Sequence, residues 1–411
     1  MCTKTRWGAG WLALCVALLA AGRVSAQFNP GSSAPPEVTV PIPTQNNLPD
    51  GGPFFAMEYV MFEQTNPTKS QAIAFRGFTV TAPNFTFVDA QGVTRGFNIG
   101  QFVGSQTEAL DAHQVSGMQY EPGYKWTLGY RFQDGGTISF SDMRLFNTTK
   151  TAAATFAAAG FNVRQDFADS FLSSPVFNFP PEFSGPDKIT DPAGNVVPGA
   201  AIGMWNAASI ETLKFQQRTE QWDITYRAPA YYETETCKMS CSIGGRYFKM
   251  WEGFQWLVID IDANTGDGGA FNTAIYQQLT SNNLWGPWVS TTWEQYLGAG
   301  FALQIEVGAA ALLDIVRERA KYSLGFRWLG PQGKYSRSDF TIAPELWGNL
   351  NLMWYPIEGV QVKLGYDVMG FFNTIGSYNP VGFDFATPTP KWSHIPLRTF
   401  DGFEVGIGFI F

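Results

Sequence analysis

The last twelve residues, Phe400–Phe411, alternate between apolar side chains and small or polar ones. The apolar positions are Phe403, Val405, Ile407, Phe409 and Phe411, and Glu404, Gly406 and Gly408 lie between them. Successive side chains of a β-strand point to opposite faces, so the pattern predicts a strand with one apolar and one polar or small face. Because the chain stops on Phe411, we expect the edge of this strand to be covered by pairing, as in a barrel that closes on its first strand.

The same period of two recurs along the chain, most clearly in 124–132, 301–315 and 360–368. Tight turns rich in glycine are predicted at 133–136, 298–300 and 356–359, whereas the alternate connections 158–205, 263–282, 317–339 and 373–399 are long. Short turns on one side and long loops on the other are typical of an outer-membrane barrel, with the short turns in the periplasm and the long loops extracellular.

Ten strands are predicted for this all-β fold, a closed antiparallel transmembrane β-barrel. Their ranges are 54–66, 121–132, 137–157, 206–228, 237–262, 283–297, 301–316, 340–355, 360–372 and 400–411. A further hairpin within 71–115 would raise the number to twelve. Within 137–146 the apolar residues move from one face of the predicted strand to the other, which predicts a bulge. Lys249 falls on the same predicted face as Tyr247 and Trp251, which predicts another irregularity.

The beginning of the chain has the layout of a secretory leader, with Lys4 and Arg6 before an apolar run and a small-residue cleavage site at Ala26. The run is shorter than the roughly 20 residues that a membrane-spanning helix needs. We therefore predict a signal peptide at 1–26, a proline-rich flexible periplasmic linker at 27–53 and an outer-membrane barrel at 54–411.

Composition supports this class of protein. Charged residues make up 15% of the chain, against about 25% in an average soluble domain. Without the leader, 24 basic and 35 acidic residues give a net charge of −11, which argues against nucleic-acid binding. The predicted mature chain keeps Cys237 and Cys241, which would be about 13 Å apart on one strand and could not form a disulfide bond without a turn between them.

No catalytic, cofactor or metal site is predicted. The chain has two histidines, His113 and His394, and neither lies near a serine motif of the nucleophile-elbow type. The acidic stretch 260–268 resembles a calcium loop, but Thr265 stands where glycine is required and Phe271 where the closing glutamate belongs. An ordinary surface turn is favoured, and weak calcium binding stays open.

Two groups of charged residues have predicted positions. The first group lies in one outward loop and consists of Arg317, Arg319, Lys321, Arg327, Lys334 and Arg337. These cations could clasp lipopolysaccharide phosphates, although a solvated charged rim explains them equally well. The second group is predicted to face the lumen: Lys125, Arg131, Asp223, Arg227, Glu306, Asp314, Glu345, Lys363, Asp367 and Glu404. Opposite charges in a barrel of ten to twelve strands can pair across the lumen, so we expect a narrow or closed barrel.

The end of the chain also resembles the terminal assembly signal of bacterial outer-membrane barrels. The resemblance rests on Glu404, Gly406, Phe409 and Phe411, and it implies recognition by the barrel assembly machinery. More broadly, the chain resembles a family of planctomycete outer-membrane β-barrel proteins. The stretches that carry this likeness are 106–111, 128–135, 159–163, 175–183, 246–248 and 400–411. The likeness implies a barrel and a compartment in the Gram-negative envelope, and no biochemical activity.

The interpretation is a non-catalytic outer-membrane barrel with a structural or surface role or narrow small-solute passage. Its expected partners are outer-membrane lipid, including lipopolysaccharide, and the assembly machinery. A true porin-like channel or transporter is the first alternative, and a soluble secreted β-sandwich that binds carbohydrate is the second. An outer-membrane protease or lipase is the third. The sequence leaves the solute and the oligomeric state open.

Overall fold

The computed structural model describes residues 51–65, 67–79, 85–88, 93–97, 101–116, 120–155, 172–178, 205–206, 208–259, 273–324, 332–357, 359–386 and 393–410. The chain divides into the units Met1–Val40 and Pro41–Phe411. The predicted leader, nearly all of the predicted linker, and the calcium-like stretch 260–268 lie outside the described residues, as do Arg327 and Phe411.

Ten antiparallel strands form a closed barrel in the second unit. They are β1 (Gly52–Gln64), β2 (Glu121–Arg131), β3 (Thr137–Leu145), β4 (Ile210–Arg227), β5 (Cys237–Ile259), β6 (Thr273–Gly298), β7 (Phe301–Leu324), β8 (Gln332–Ile357), β9 (Val360–Gly376) and β10 (Ser393–Ile410). Each strand pairs with the next along the chain, and β1 pairs with β10 to close the barrel. The predicted all-β closed antiparallel barrel is confirmed.

The prediction of a further barrel hairpin in 71–115 is wrong. Ala72–Arg76 pairs with Glu108–Asp111 and with Leu172–Ser173 in a separate three-stranded sheet, and the pairs Phe78–Thr79 with Phe102–Val103 and Phe85–Val88 with Thr94–Phe97 form two small hairpins. The apolar side chains of the three-stranded sheet pack into a core inside the barrel and do not form an outward face. A 3-10 helix, Ala112–Val115, follows. Among the described residues, no helix is long and apolar enough to cross a membrane.

Several strands are longer than predicted, because β6, β7, β8, β9 and β10 continue into stretches where the sequence predicts long loops. Alternation persists there with polar residues on the outward face. The irregularity predicted at Lys249 is wrong, since β5 pairs with β6 without a shift from Cys237 to Ile259. The bulge predicted within 137–146 is also wrong, since β3 pairs with β2 and β4 without a register shift, and Met143 and Leu145 are apolar because they are buried in the interior. After β3 the chain continues in Thr148–Thr155, which also pairs with β4.

The two ends of the barrel differ. At one, which we call the turn end, the connections are 132–136, 228–236, 299–300 and 358–359. Gly298, Ala299 and Gly300 have φ values of 92°, 51° and 81°, which explains why glycine flanks this tightest turn. At the opposite end, the loop end, lie the long connections.

The outward face carries an apolar belt that a ring of polar side chains bounds toward the loop end. The belt includes Tyr59, Leu128, Ile224, Val289, Leu313, Phe340, Leu364 and Val405, all exposed. Above it lie Glu63, Arg144, Glu220, Lys249, Arg317 and Asp401, and Glu220 forms ion pairs with Arg144 at 3.3 Å and Lys249 at 3.9 Å. A belt of exposed apolar side chains suits lipid and not water, so the barrel is a transmembrane one, and we take the polar ring as the limit of its membrane-crossing part.

Candidate functional site in the barrel interior

The interior of the barrel is filled in layers, and strand β5 contributes to most of them. Its inward side chains, from the turn end toward the loop end, include Arg246, Phe248, Glu252 and Trp256, and all four are buried. They belong respectively to an ionic cluster, an apolar layer, a second ionic pair and an outer core. The layers together decide what the lumen can pass or bind.

Nearest the turn end, two lysines meet two glutamates where β1 and β10 close the barrel. Lys125 Nζ donates to Glu404 Oε1 at 3.1 Å and lies 3.4 Å from Glu58 Oε2. Lys363 Nζ bonds to Glu404 as well and to Glu58 Oε1 at 3.2 Å. We call these four residues the lysine cluster. Because they come from β1, β2, β9 and β10, the cluster ties the closing pair of strands to both of its neighbours.

A second ionic group, the arginine cluster, spans the lumen deeper inside. Arg246 donates to both carboxylate oxygens of Asp223, at 2.7 and 3.2 Å, and also bonds to Glu345 on β8. Since β5 and β8 are not neighbours, the Arg246–Glu345 contact crosses the interior. The guanidinium also lies 5.7 Å from the ring centroid of Trp288 and 5.3 Å from that of Trp347. Such bidentate and stacked contacts suit arginine and not lysine.

Beyond the arginine cluster, aromatic rings close the lumen in what we call the phenylalanine layer. It consists of Phe62, Phe248, Phe371 and Phe400, each almost fully buried. The centroids of Phe248 and Phe371 are 4.5 Å apart, and Phe400 lies 5.6 Å from the first and 5.9 Å from the second. These rings come from strands on different sides of the barrel. They leave polar solutes no hydrogen-bond partners at this level.

The next layer is a buried ion pair. Arg398 Nη1 donates to Glu252 Oε1 at 2.9 Å, and the two side chains are 1% and 0% exposed. Glu252 Oε2 accepts from the backbone N–H of Ser377 at 3.2 Å, while Gln64 donates to Glu252 Oε1 at 3.3 Å. Arg398 Nη2 reaches the carbonyl oxygen of Ile375 at 3.3 Å. This pair therefore fixes the end of β9 to β5 and β10.

The mouth at the loop end is filled by an apolar cluster that we call the outer core. It contains Trp205, Trp256, Tyr276, Tyr322 and Phe385. The connection 377–386 folds into it, because Tyr276 Oη donates to the carbonyl of Pro380 at 3.0 Å and Tyr322 Oη to that of Phe385 at 2.8 Å. Glu211 is fully buried there and accepts from Trp256 Nε1 at 2.8 Å and from Ser174 Oγ at 3.2 Å. Burial raises the pKa of Glu211 to about 8.

The charged residues predicted for the lumen lie on the inward faces of their strands. Asp314 and Glu345 are 0% exposed, and Arg131, Asp223 and Glu306 are buried. Lys125 and Lys363 take part in the lysine cluster, and Arg227 lies 3.7 Å from Glu306. Asp367 lines the interior cavity that Lys125 and Lys363 also line.

Sequence reasoning missed three central residues, namely Arg246, Glu252 and Arg398. The first two lie in the part of β5 where Lys249 predicts an irregularity, and they share the inward parity of Phe248. Lys249 points outward in the polar ring, paired with Glu220. Arg398 belongs to 373–399, where the sequence predicts a loop.

Five of the six cations predicted as one loop lie on two strands, and Arg327 lies outside the described residues. Arg317, Arg319 and Lys321 lie on β7, on the outward face that carries Leu313 and Ile315 below them. Lys334 lies on β8 directly opposite Lys321. Arg337 has the other parity and pairs with Asp339 at 2.8 Å. Four of the six thus form one outward cationic wall above the apolar belt.

The histidines and cysteines occupy separate places. Ser116 Oγ lies 3.1 Å from His113 Nδ1, but this hydroxyl is buried, and Asp111 accepts from the backbone N–H of His113 and not from its ring. A serine–histidine–aspartate relay is therefore not formed at His113. His394 is exposed on β10. Cys237 and Cys241 are free thiols on the outward side of β5, and Trp293 Nε1 lies 3.0 Å from Cys237 Sγ.

No protein-family model and no curated protein matches the chain. Solved structures with a similar fold include the outer membrane protease OmpT from Escherichia coli, with 7% identity over 89% of this chain and 98% of that one and a TM-score of 0.40. A Pseudomonas aeruginosa FadL homologue is 8% identical over 88% and 90%, with a TM-score of 0.26. The monoaromatic hydrocarbon channel CymD is 7% identical over 93% and 94%, also with a TM-score of 0.26. The likeness is one of fold, and the scores are too low for any function to transfer.

Proposed function

We propose that the chain is a bacterial outer-membrane barrel with a closed lumen and a structural or surface role, without catalysis. The phenylalanine layer carries this proposal, because it crosses the interior between two ionic layers and offers a hydrated solute nothing to bind. The apolar belt and the polar ring support insertion in a membrane. The resemblance to planctomycete barrels and the predicted leader favour the outer membrane, with the N-terminal segment in the periplasm.

Purified protein reconstituted in planar bilayers is expected to show no single-channel conductance. In the same preparation, samples loaded on a gel without heating should migrate faster than heated ones, since a closed barrel stays compact in detergent. The heated sample is the control for unfolded chain. Steady conductance steps from protein that passes the gel assay would favour the porin-like channel instead.

Anionic lipid is the partner that the cationic wall fits best. Arg317, Arg319, Lys321 and Lys334 face outward just above the belt, where lipid phosphate groups lie. We propose that this wall clasps the phosphates of lipopolysaccharide. Of the other two predicted cations, Arg337 has the opposite parity on β8 and Arg327 lies outside the described residues.

Reversing the charge at Arg317 and Arg319 together should reduce the lipopolysaccharide retained by the purified barrel by about tenfold or more, the equivalent of about 1.4 kcal/mol. The measurement is phosphorus per protein after detergent exchange. Arg337→Glu is the matched control, because its guanidinium already pairs with Asp339. Equal retention in all three proteins would contradict the clasp.

The terminal strand also carries the proposed assembly signal of Glu404, Gly406, Phe409 and Phe411. Phe409 lies outward on β10, and a Cβ at Gly406 would lie 2.4 Å from Glu58 Cγ. Glu404 is buried in the lysine cluster. A substitution at Glu404 or Gly406 therefore changes packing as well as recognition, so Phe409 is the better position at which to test recognition by the assembly machinery.

A further inference from the structure

A chamber of about 240 Å³ occupies the lumen between the turn end and the phenylalanine layer. By volume it holds roughly eight water molecules, or one sugar ring. Phe54, Thr137 and Gln361 line it near the turn end, and Met143 and Met369 line it at the top. Because the phenylalanine layer lies beyond, the chamber is blind and can be entered only from the turn end.

Four of the residues that line the chamber carry a buried neutral polar atom that has no hydrogen-bond partner among the described residues. Trp288 Nε1 and Trp347 Nε1 are unpaired donors, and Gln221 Oε1 and Asn351 Oδ1 are unpaired acceptors. Trp288 is 4% and Asn351 1% exposed. Buried polar groups without partners lower the stability of a protein, so a group of four around one space indicates a ligand that bonds to them.

Neighbouring contacts hold these groups in place. Gln221 Nε2 donates to Asp223 at 2.6 Å, and Asn351 Nδ2 donates to Gln304 Oε1 at 3.0 Å, so each amide has its nitrogen occupied and its oxygen free. The tryptophan rings rest on glycines. A Cβ at Gly244 would lie 2.6 Å from the Trp288 ring, and one at Gly308 would lie 2.5 Å from the Trp347 ring. The two indoles therefore occupy recesses in the barrel wall.

The charges around the chamber leave no strong preference for an ion. The cations Lys125, Lys363 and Arg246 are bonded to Glu58, Glu404, Asp223 and Glu345. What is left for a ligand is two neutral donors, two neutral acceptors, one carboxylate oxygen of Asp367, and aromatic surface. Hydroxyl groups both donate and accept, and tryptophan combines apolar area with a polar N–H, so a compound with several hydroxyls matches the set.

We propose that this chamber binds a neutral polyhydroxylated solute the size of one sugar ring. The two indole N–H groups donate to its hydroxyl oxygens, and the oxygens of Gln221 and Asn351 accept from its hydroxyl groups. The solute enters from the turn end. This site is independent of whether the barrel passes any solute, because binding needs no opening of the phenylalanine layer.

The test is a titration of the purified full-length barrel in detergent with glucose, N-acetylglucosamine and glycerol, followed by tryptophan fluorescence and by calorimetry. Saturable binding of at least one of the two sugars is expected. Trp288→Phe and Asn351→Leu should each weaken it by roughly three- to tenfold, the effect of one lost neutral hydrogen bond. Trp285→Phe is the matched control, because Trp285 faces outward and should leave the affinity unchanged.

Both chamber variants are first checked for faster migration on unheated gels, which shows that they fold. Absence of saturable binding by either sugar would overturn the proposal, since the chamber would then hold water only. Binding that Trp288→Phe and Asn351→Leu leave unchanged would overturn it as well. Choline and acetate are tested beside the sugars, and saturation by one of these ions alone would exclude a neutral ligand.

Discussion

Replacing Glu252 by leucine is expected to lower the free energy of unfolding by about 3–5 kcal/mol. The substitution leaves Arg398 buried, 1% exposed, without the carboxylate that neutralises it. It also removes the acceptors of Gln64 and of the Ser377 backbone N–H. The measurement is a urea titration of the barrel in lipid vesicles, followed by tryptophan fluorescence.

The matched control is Asp339→Ala. It breaks the ion pair with Arg337, in which both side chains are 45% exposed, and such a pair contributes only about 0–1 kcal/mol. The double substitution Glu252→Leu with Arg398→Leu should recover much of the loss, since replacing both members of a buried pair by apolar residues is often neutral. A loss below about 1 kcal/mol for Glu252→Leu alone would show that water reaches this layer.

Raising the pH through about 8 is expected to loosen the outer core. Burial raises the pKa of Glu211 from 4.5 to about 8, and burial likewise raises the pKa of Glu318 to about 7. Both lie beyond the polar ring. The folded state therefore holds protons that the unfolded chain releases near pH 4.5. This stabilisation is complete below about pH 4.5 and is lost as the pH rises through the folded pKa values.

Hydrogen-exchange protection factors of the connection 377–386 measure this effect, because they correct for the intrinsic dependence of exchange on pH. Protection should be higher at pH 6 than at pH 9. The double variant Glu211→Gln with Glu318→Gln should lose this difference, whereas Glu220→Gln, in the polar ring, should keep it. Equal protection of the unaltered protein at both pH values would be incompatible with a buried, protonated Glu211.

The barrel was predictable from the sequence, and its filling was predictable only in part. Alternation identified all ten strands, because one face of each meets an apolar environment over the belt. It failed beyond the polar ring, where the inward face mixes polar with apolar side chains and the contrast between the faces is weaker, so strands β6 to β10 were predicted too short. The strands 72–76 and 108–111 show the opposite error. The sequence predicts a barrel hairpin there, but their apolar side chains pack into a core inside the barrel.

Pairing inside the lumen depends on the register between strands that are far apart in sequence. The sequence placed Glu345 inside, but it gave no reason to join this residue to Arg246, which is 99 positions away. Likewise, the four unpaired groups of the chamber come from three strands, and each is an ordinary polar or aromatic residue by itself. Only the three-dimensional arrangement shows that they surround one space.

The lysine cluster also bears on the fidelity of barrel closure. Alternation does not distinguish the native frame of β10 from one displaced by two positions, because both keep apolar side chains toward lipid. Glu404 does distinguish them, since only the native frame places its carboxylate between Lys125 and Lys363. A misdocked last strand would leave the two ammonium groups with Glu58 as the one carboxylate of the cluster to neutralise them. The ion pairs therefore favour the native register in the last step, in which β10 pairs with β1 and closes the barrel.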